Sequence, residues 1–120
     1  MASIYLDYNA STPIDPAVAA AMMPFLADHF GNPSSGHWAA APAKAALEKA
    51  RGQIAALLGC EDDEVVFTSG GSEADNLALK GVYHARRDIG DHIITTRIEH
   101  PAIIEPCRFL ERLGARITFL

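Results

Sequence analysis

The sequence predicts an α/β fold with a parallel sheet, and three observations carry that expectation. Short β-prone runs at 64–68, 92–96 and 116–120 are separated by two stretches of helical periodicity, 72–87 and 101–113. Strand, helix, strand, helix, strand in that order is the signature of right-handed βαβ units, which lay their strands parallel. The composition, 49% apolar and 21% charged over 120 residues, is that of an ordinary globular chain able to bury a core.

Residues 3–13 begin with a short β-prone run and pass into a cluster of turn formers, so they read as an extended arm. Asp15 followed by Pro16 marks a helix start, with the carboxylate as cap and proline at the first helical position. The helix continues from Ala17 to about Phe25, where Pro24 strains the pattern and predicts a short or kinked element. Asp28 to Gly36 is dense in Gly, Asn, Pro and Ser and must be a loop. From Pro42 to Leu58, Ala43, Ala46, Leu47, Ala50, Ile54, Leu57 and Leu58 recur at helical spacing, and Gly59 follows as the terminator. The strand Glu64 to Thr68 leads into a helix from Ser72 to about Arg87, with an inner face of Leu77, Ala78, Gly81, Val82 and Ala85. Gly90-Asp91 turns the chain into the strand His92 to Thr96, Pro101 opens a helix to Leu113, Gly114 closes it, and Arg116 to Leu120 is a third strand. No repeat, low-complexity tract or linker composition marks a boundary.

The stretch Val65-Val66-Phe67-Thr68-Ser69-Gly70-Gly71-Ser72-Glu73-Ala74-Asp75-Asn76 reads as strand, tight glycine turn and helix start. Amides in a first helical turn have no intrahelical partner and the macrodipole is positive there, so the geometry favours a phosphate. Gly70 and Gly71 let the backbone approach an anion, and Ser72 adds a hydroxyl. The same residues also fit a plain capped helix, since Ser72 with Asp75 matches the S-x-x-[DE] box in which side chains take up those amides. Neither G-x-x-x-x-G-K-[ST] nor G-x-G-x-x-G occurs, which removes the nucleoside-triphosphate loop and the dinucleotide fingerprint. In parallel sheets ligands sit beyond the carboxyl ends of strands, where both the Gly-Gly-Ser turn and Ile98-Glu99-His100-Pro101 fall.

A net charge of −5 without a basic stripe argues against nucleic acid as a partner. Cys60 and Cys107 lie far apart and form no C-x-x-C, and the five histidines show no H-x-x-x-H pair, so neither a disulfide framework nor a metal site is expected. The start lacks the basic and long apolar regions of a signal peptide, and no run of 18 apolar residues appears. The expectation is a cytoplasmic protein that does not cross a membrane.

Four segments in order, Tyr-Leu-Asp-Tyr-Asn-Ala-Ser-Thr-Pro, Gly-Asn-Pro-Ser-Ser-Gly-His, Phe-Thr-Ser-Gly-Gly-Ser-Glu-Ala-Asp-Asn-Leu-Ala-Leu-Lys-Gly and Ile-Glu-His-Pro-Ala, carry a resemblance. Together they resemble the amino-terminal region of cysteine desulfurases, pyridoxal 5'-phosphate (PLP) enzymes of the class V aminotransferase group. The resemblance implies the start of the large domain of a fold-type I PLP-dependent transferase, an incomplete α/β unit. Residues 1–36 would supply the arm, short helix and loop, and 37–120 the beginning of the large domain. It implies that Gly71 and Ser72 hold the cofactor phosphate and that His100 stacks on the pyridine ring and relays protons. A planar imidazole that titrates near neutral pH suits both tasks. Asn9 to Thr12 and Asn32 to Ser35 would lie near the active-site mouth, where turn capping is an equal reading.

The family also implies L-cysteine as substrate, alanine and an enzyme persulfide as products, a sulfur-acceptor protein, iron–sulfur cluster assembly or thiolation as destination, and a homodimer. Its covalently attached lysine, its acid facing the pyridine nitrogen and its mobile cysteine all lie beyond residue 120 in the family pattern. Lys44, Lys49 and Lys80 do not match that lysine, and Cys60 and Cys107 read as incidental thiols. The expectation is therefore a piece of a longer or split enzyme, inactive alone, with a related class V enzyme such as a selenocysteine lyase or aminotransferase, or a fragment that needs a partner chain, as alternatives. In that fold the first strand lies apart from the second and third, so marginal stability or association is expected of this stretch alone.

Overall fold

A computed structural model describes residues 3–120, which form two compact units divided between Val65 and Val66, the second being Val66–Leu120.

In the first unit the arm folds on itself where the Tyr5 hydroxyl reaches the Asp7 carbonyl at 2.8 Å and the Ser11 hydroxyl at 3.0 Å. Helix α1 spans Pro16–Ala27, and the Asp15 carboxylate accepts the Ala17 N–H at 2.8 Å, as the Asp-Pro pair predicts. Pro24 does not end it. Its ring already holds a helical φ, and its carbonyl collects the N–H groups of Asp28 and His29 at 2.9 and 2.8 Å, closing the helix later than the proline suggests. The loop turns at Asn32, whose side-chain oxygen accepts the Ser34 N–H. A short 3-10 turn, Trp38–Ala40, enters α2, Ala41–Leu58, which ends at Gly59 in the left-handed conformation with φ 71°.

Gly31 packs against that 3-10 turn so closely that a Cβ added there would lie 2.0 Å from the Ala39 carbonyl oxygen. Backbone cannot yield as a side chain does. Gly31→Ala is therefore expected to lower unfolding stability by about 1–3 kcal/mol, measured by urea titration, whereas Gly36→Ala, which meets nothing within 4 Å, should be close to neutral.

In the second unit α3 (Gly71–Arg86), β1 (His92–Thr95), α4 (Pro101–Arg112) and β2 (Arg116–Phe119) follow one another. The strands pair in parallel with His92 opposite Arg116 and Thr95 opposite Phe119. Each ends one residue before the sequence pattern suggests. Tyr83, Leu110 and Ala115 form the buried centre, flanked by Leu79, Ile93 and Ile117. Gly114, at φ 102°, makes the turn from α4 into β2 that a side chain would resist.

Two expectations are corrected. Residues 64–68 are not a strand: Glu64 closes a 3-10 turn, Asp62–Glu64, and Val65 is extended without a ladder partner. A β-prone run becomes a strand only when a neighbour takes its amides, and β1 and β2 take each other's. Val66 stays 64% exposed. The inner face of α3 is also rotated from the expected one, because Leu79 and Tyr83 point into the core while Leu77 and Val82 are 51% and 64% exposed. Tyr83 takes the core position, its ring buried and its hydroxyl reaching the Leu113 carbonyl at 3.4 Å.

Candidate functional site

The turn before α3 is held by a carboxylate that the S-x-x-[DE] pattern does not single out. Ser69 donates both its N–H and its hydroxyl to Glu73 Oε2, at 2.7 and 2.6 Å, and the Thr68 hydroxyl donates to the Gly70 carbonyl at 3.1 Å. The cap position is Gly70, which offers no side-chain oxygen, so the expected Ser72–Asp75 box gives way to a Ser69–Glu73 clamp one turn earlier. A serine inside the helix cannot cap it; capping requires the non-helical position before it. Ala74 is the first residue whose N–H finds a helical acceptor, Gly70 O at 3.1 Å. The amides ahead of it belong to the first turn, and Gly70 and Gly71 border open space within 4 Å.

Ser69's two hydrogen bonds, that of the hydroxyl first, hold the Glu73 carboxyl below its ordinary value of 4.5. A depressed folded value means that the clamp contributes fully above the unfolded value and is lost as pH falls through the folded one. Titration followed by NMR should give Glu73 a midpoint below 4.5 that rises in Ser69→Ala. An unchanged midpoint in the variant would contradict the clamp.

Five residues beyond β1, His100 caps α4: its Nδ1 accepts the Ala102 N–H at 3.1 Å, with Pro101 at the first helical position. An accepting Nδ1 carries no hydrogen, so the neutral ring bears its proton on Nε2 and presents a donor on the opposite side.

Ser72 and His100 line one hollow of about 450 Å³ between α3 and α4. Gly71 does not line it; it contributes the first residue of α3. Asn76 and Lys80 follow Ser72 at successive helical turns along the same wall. That polar i, i+4, i+8 row is present in the sequence, beside the apolar stripe of the same helix. Across the groove Phe109 lies under two cations, with Lys80 Nζ 4.9 Å and the Arg112 guanidinium carbon 5.8 Å from the ring centroid. Glu105, the acidic residue of the lining, is engaged by Arg108 at 2.6 Å.

Cys107 is fully buried and its thiol is pushed up by desolvation; Cys60 is half-buried. Among the described residues no three His, Cys, Asp or Glu side chains converge as metal ligands, and no helix is long and apolar enough to cross a membrane.

Comparison with known proteins agrees with this architecture. The chain is 51% identical over 117 residues to the cysteine desulfurase IscS of Dictyoglomus turgidum, covering 98% of this chain and 30% of that protein. It is 52% identical over 120 residues to the IscS of Pectobacterium carotovorum, again covering 98% and 30%. The chain thus spans about 30% of the length of the curated relatives it matches. Among solved structures, a NifS-like protein superposes with a TM-score of 0.88 at 36% identity, covering 98% of this chain and 32% of that one. A structure of SspA in complex with cysteine gives 0.88 at 43%, covering 98% and 34%. These neighbours give the chain its fold class, the beginning of a fold-type I α/β domain. The aminotransferase class-V family profile matches residues 4–120, and with the two helix starts of that fold meeting at one hollow, the chain belongs to this family.

Proposed function

We propose that this chain is the amino-terminal part of a PLP-dependent cysteine desulfurase. The observation that carries the reading is the single hollow onto which Ser72, in the first turn of α3, and His100, at the start of α4, both open. Its donor set suits a phosphorylated pyridine: first-turn amides with a glycine at the cap, a serine hydroxyl, an imidazole, and acids turned elsewhere, Glu73 to Ser69 and Glu105 to Arg108. Gly71 and Ser72 would bind the phosphate through backbone amides and the hydroxyl. His100 would lie against the ring, its Nε2 hydrogen available to a substrate atom while Nδ1 stays on the Ala102 amide.

Bound PLP supplies the electron sink that lets the carbon–sulfur bond of L-cysteine be broken. In the net reaction an enzyme thiol takes the cysteine sulfur as the outer atom of a persulfide while the carbon–sulfur bond breaks, and the carbon, reduced as the sulfur is oxidised, leaves as the methyl of alanine with the proton that the thiol gave up. The relatives named as cysteine desulfurases, and the neighbour bound to cysteine, favour this substrate over others of the family. The persulfide would pass to an acceptor protein, for iron–sulfur cluster assembly or thiolation, from a cytoplasmic homodimer.

This chain alone is proposed to be inactive. Lys80 reaches the hollow only at its far end, over Phe109, and Cys107 is buried, so neither serves as the attached lysine or the sulfur-accepting thiol. The test is direct. The intact protein should release alanine from L-cysteine and form a persulfide, whereas residues 1–120 with PLP should give no borohydride-trappable adduct. A trapped adduct on Lys80 would overturn the second statement; release of alanine only from selenocysteine would overturn the first and favour a selenocysteine lyase.

A further inference from the structure

No side-chain oxygen at the cap or at the third position of α3 takes up its first-turn amides. Gly70 has no side chain to offer, and the Glu73 carboxylate, three residues into the helix, turns back onto Ser69. A carboxylate in a first turn is drawn toward the helix's own amides and dipole, where it would stand in for any external anion. From the clamp we infer that Glu73 is a positioning residue: bound to Ser69, it fixes the turn and keeps its own charge off the Gly71 and Ser72 amides, leaving them to a phosphate monoester. Ser69 is then the restraint. Released, Glu73 becomes an internal competitor with the ligand. The inference rests on reading the α3 start as the cofactor phosphate site.

Apo-protein of the intact polypeptide, dialysed to equilibrium against PLP and separately against pyridoxal, tests both levels. Wild type should prefer PLP. Ser69→Ala removes the hydroxyl bond and should weaken PLP about fivefold to tenfold, the worth of one hydrogen bond, with pyridoxal unchanged. Adding Glu73→Gln removes the competing charge and should return PLP affinity to within about twofold of wild type, the non-additivity expected of coupled neighbours. Glu73→Gln alone keeps an oxygen for the Ser69 N–H and should bind PLP at least as well as wild type.

A merely structural clamp predicts the opposite, with the double variant no better than Ser69→Ala; that result overturns the inference. Equal wild-type affinity for PLP and pyridoxal would instead sink the phosphate site itself. Thermal unfolding of each variant separates misfolding from competition, because the rescued double variant must carry both substitutions and still bind.

Discussion

Leu110→Ala is expected to cost the Val66–Leu120 unit about 3 kcal/mol, within the usual range for emptying a fully buried leucine site. Leu110 is one of the two largest side chains completely shut off from solvent, and it meets Tyr83 and Ala115 with Leu79, Ile93 and Ile117 around them. Truncation leaves a void walled by α3 and both strands, whose backbones are tied by the parallel ladder and cannot close on it. Urea unfolding followed by far-UV circular dichroism measures the loss. Leu77→Ala, on the exposed side of α3, should stay within about 0.5 kcal/mol of wild type. Equal losses at the two leucines would contradict the orientation of α3.

Ser72→Asp is expected to weaken PLP binding by about 100-fold, roughly 2.7 kcal/mol. The substitution removes a hydroxyl donor and sets a carboxylate against a phosphate at the one point where the helix offers positive potential. Pyridoxal, which has no phosphate, should bind the variant as it binds the wild type. The retained α3 start would show as unchanged helicity. Parallel losses for both ligands would mean that Ser72 does not face the phosphate, and the proposed site would then lie elsewhere on the hollow.

Much of the fold was legible because its signals are local. Asp15-Pro16 caps and opens α1, Gly59 and Gly114 take left-handed backbone where helices end, and Pro101 opens α4 behind His100. Each depends on residues within one turn of the chain. The misreadings share a different cause. Val65 to Thr68 has strand composition, yet strand formation depends on a partner far away in sequence. The apolar pattern of α3 points to Leu77, Ala78, Gly81, Val82 and Ala85 as the inner face, but Tyr83, two residues from Gly81, has the larger apolar body and takes the interior. Ser72 looked like a cap because serine usually is one; Glu73 drew Ser69 instead and moved the helix start to Gly71.

The amino-acid sequence by itself determined where α1 and α4 begin and where α2 ends, the parallel βαβ order of the second unit, and the four segments that mark the family. Those properties follow from φ preferences, caps and hydrophobic period, which neighbouring residues set among themselves. The tertiary structure alone decided that β1 pairs with β2 while 65–68 stays outside that ladder, that Tyr83 and not Val82 faces the core, and that Ser72 and His100, 28 positions apart, open on one hollow. Pairing, burial and convergence are choices among distant partners, and their free energies exist only once the helices and strands have met.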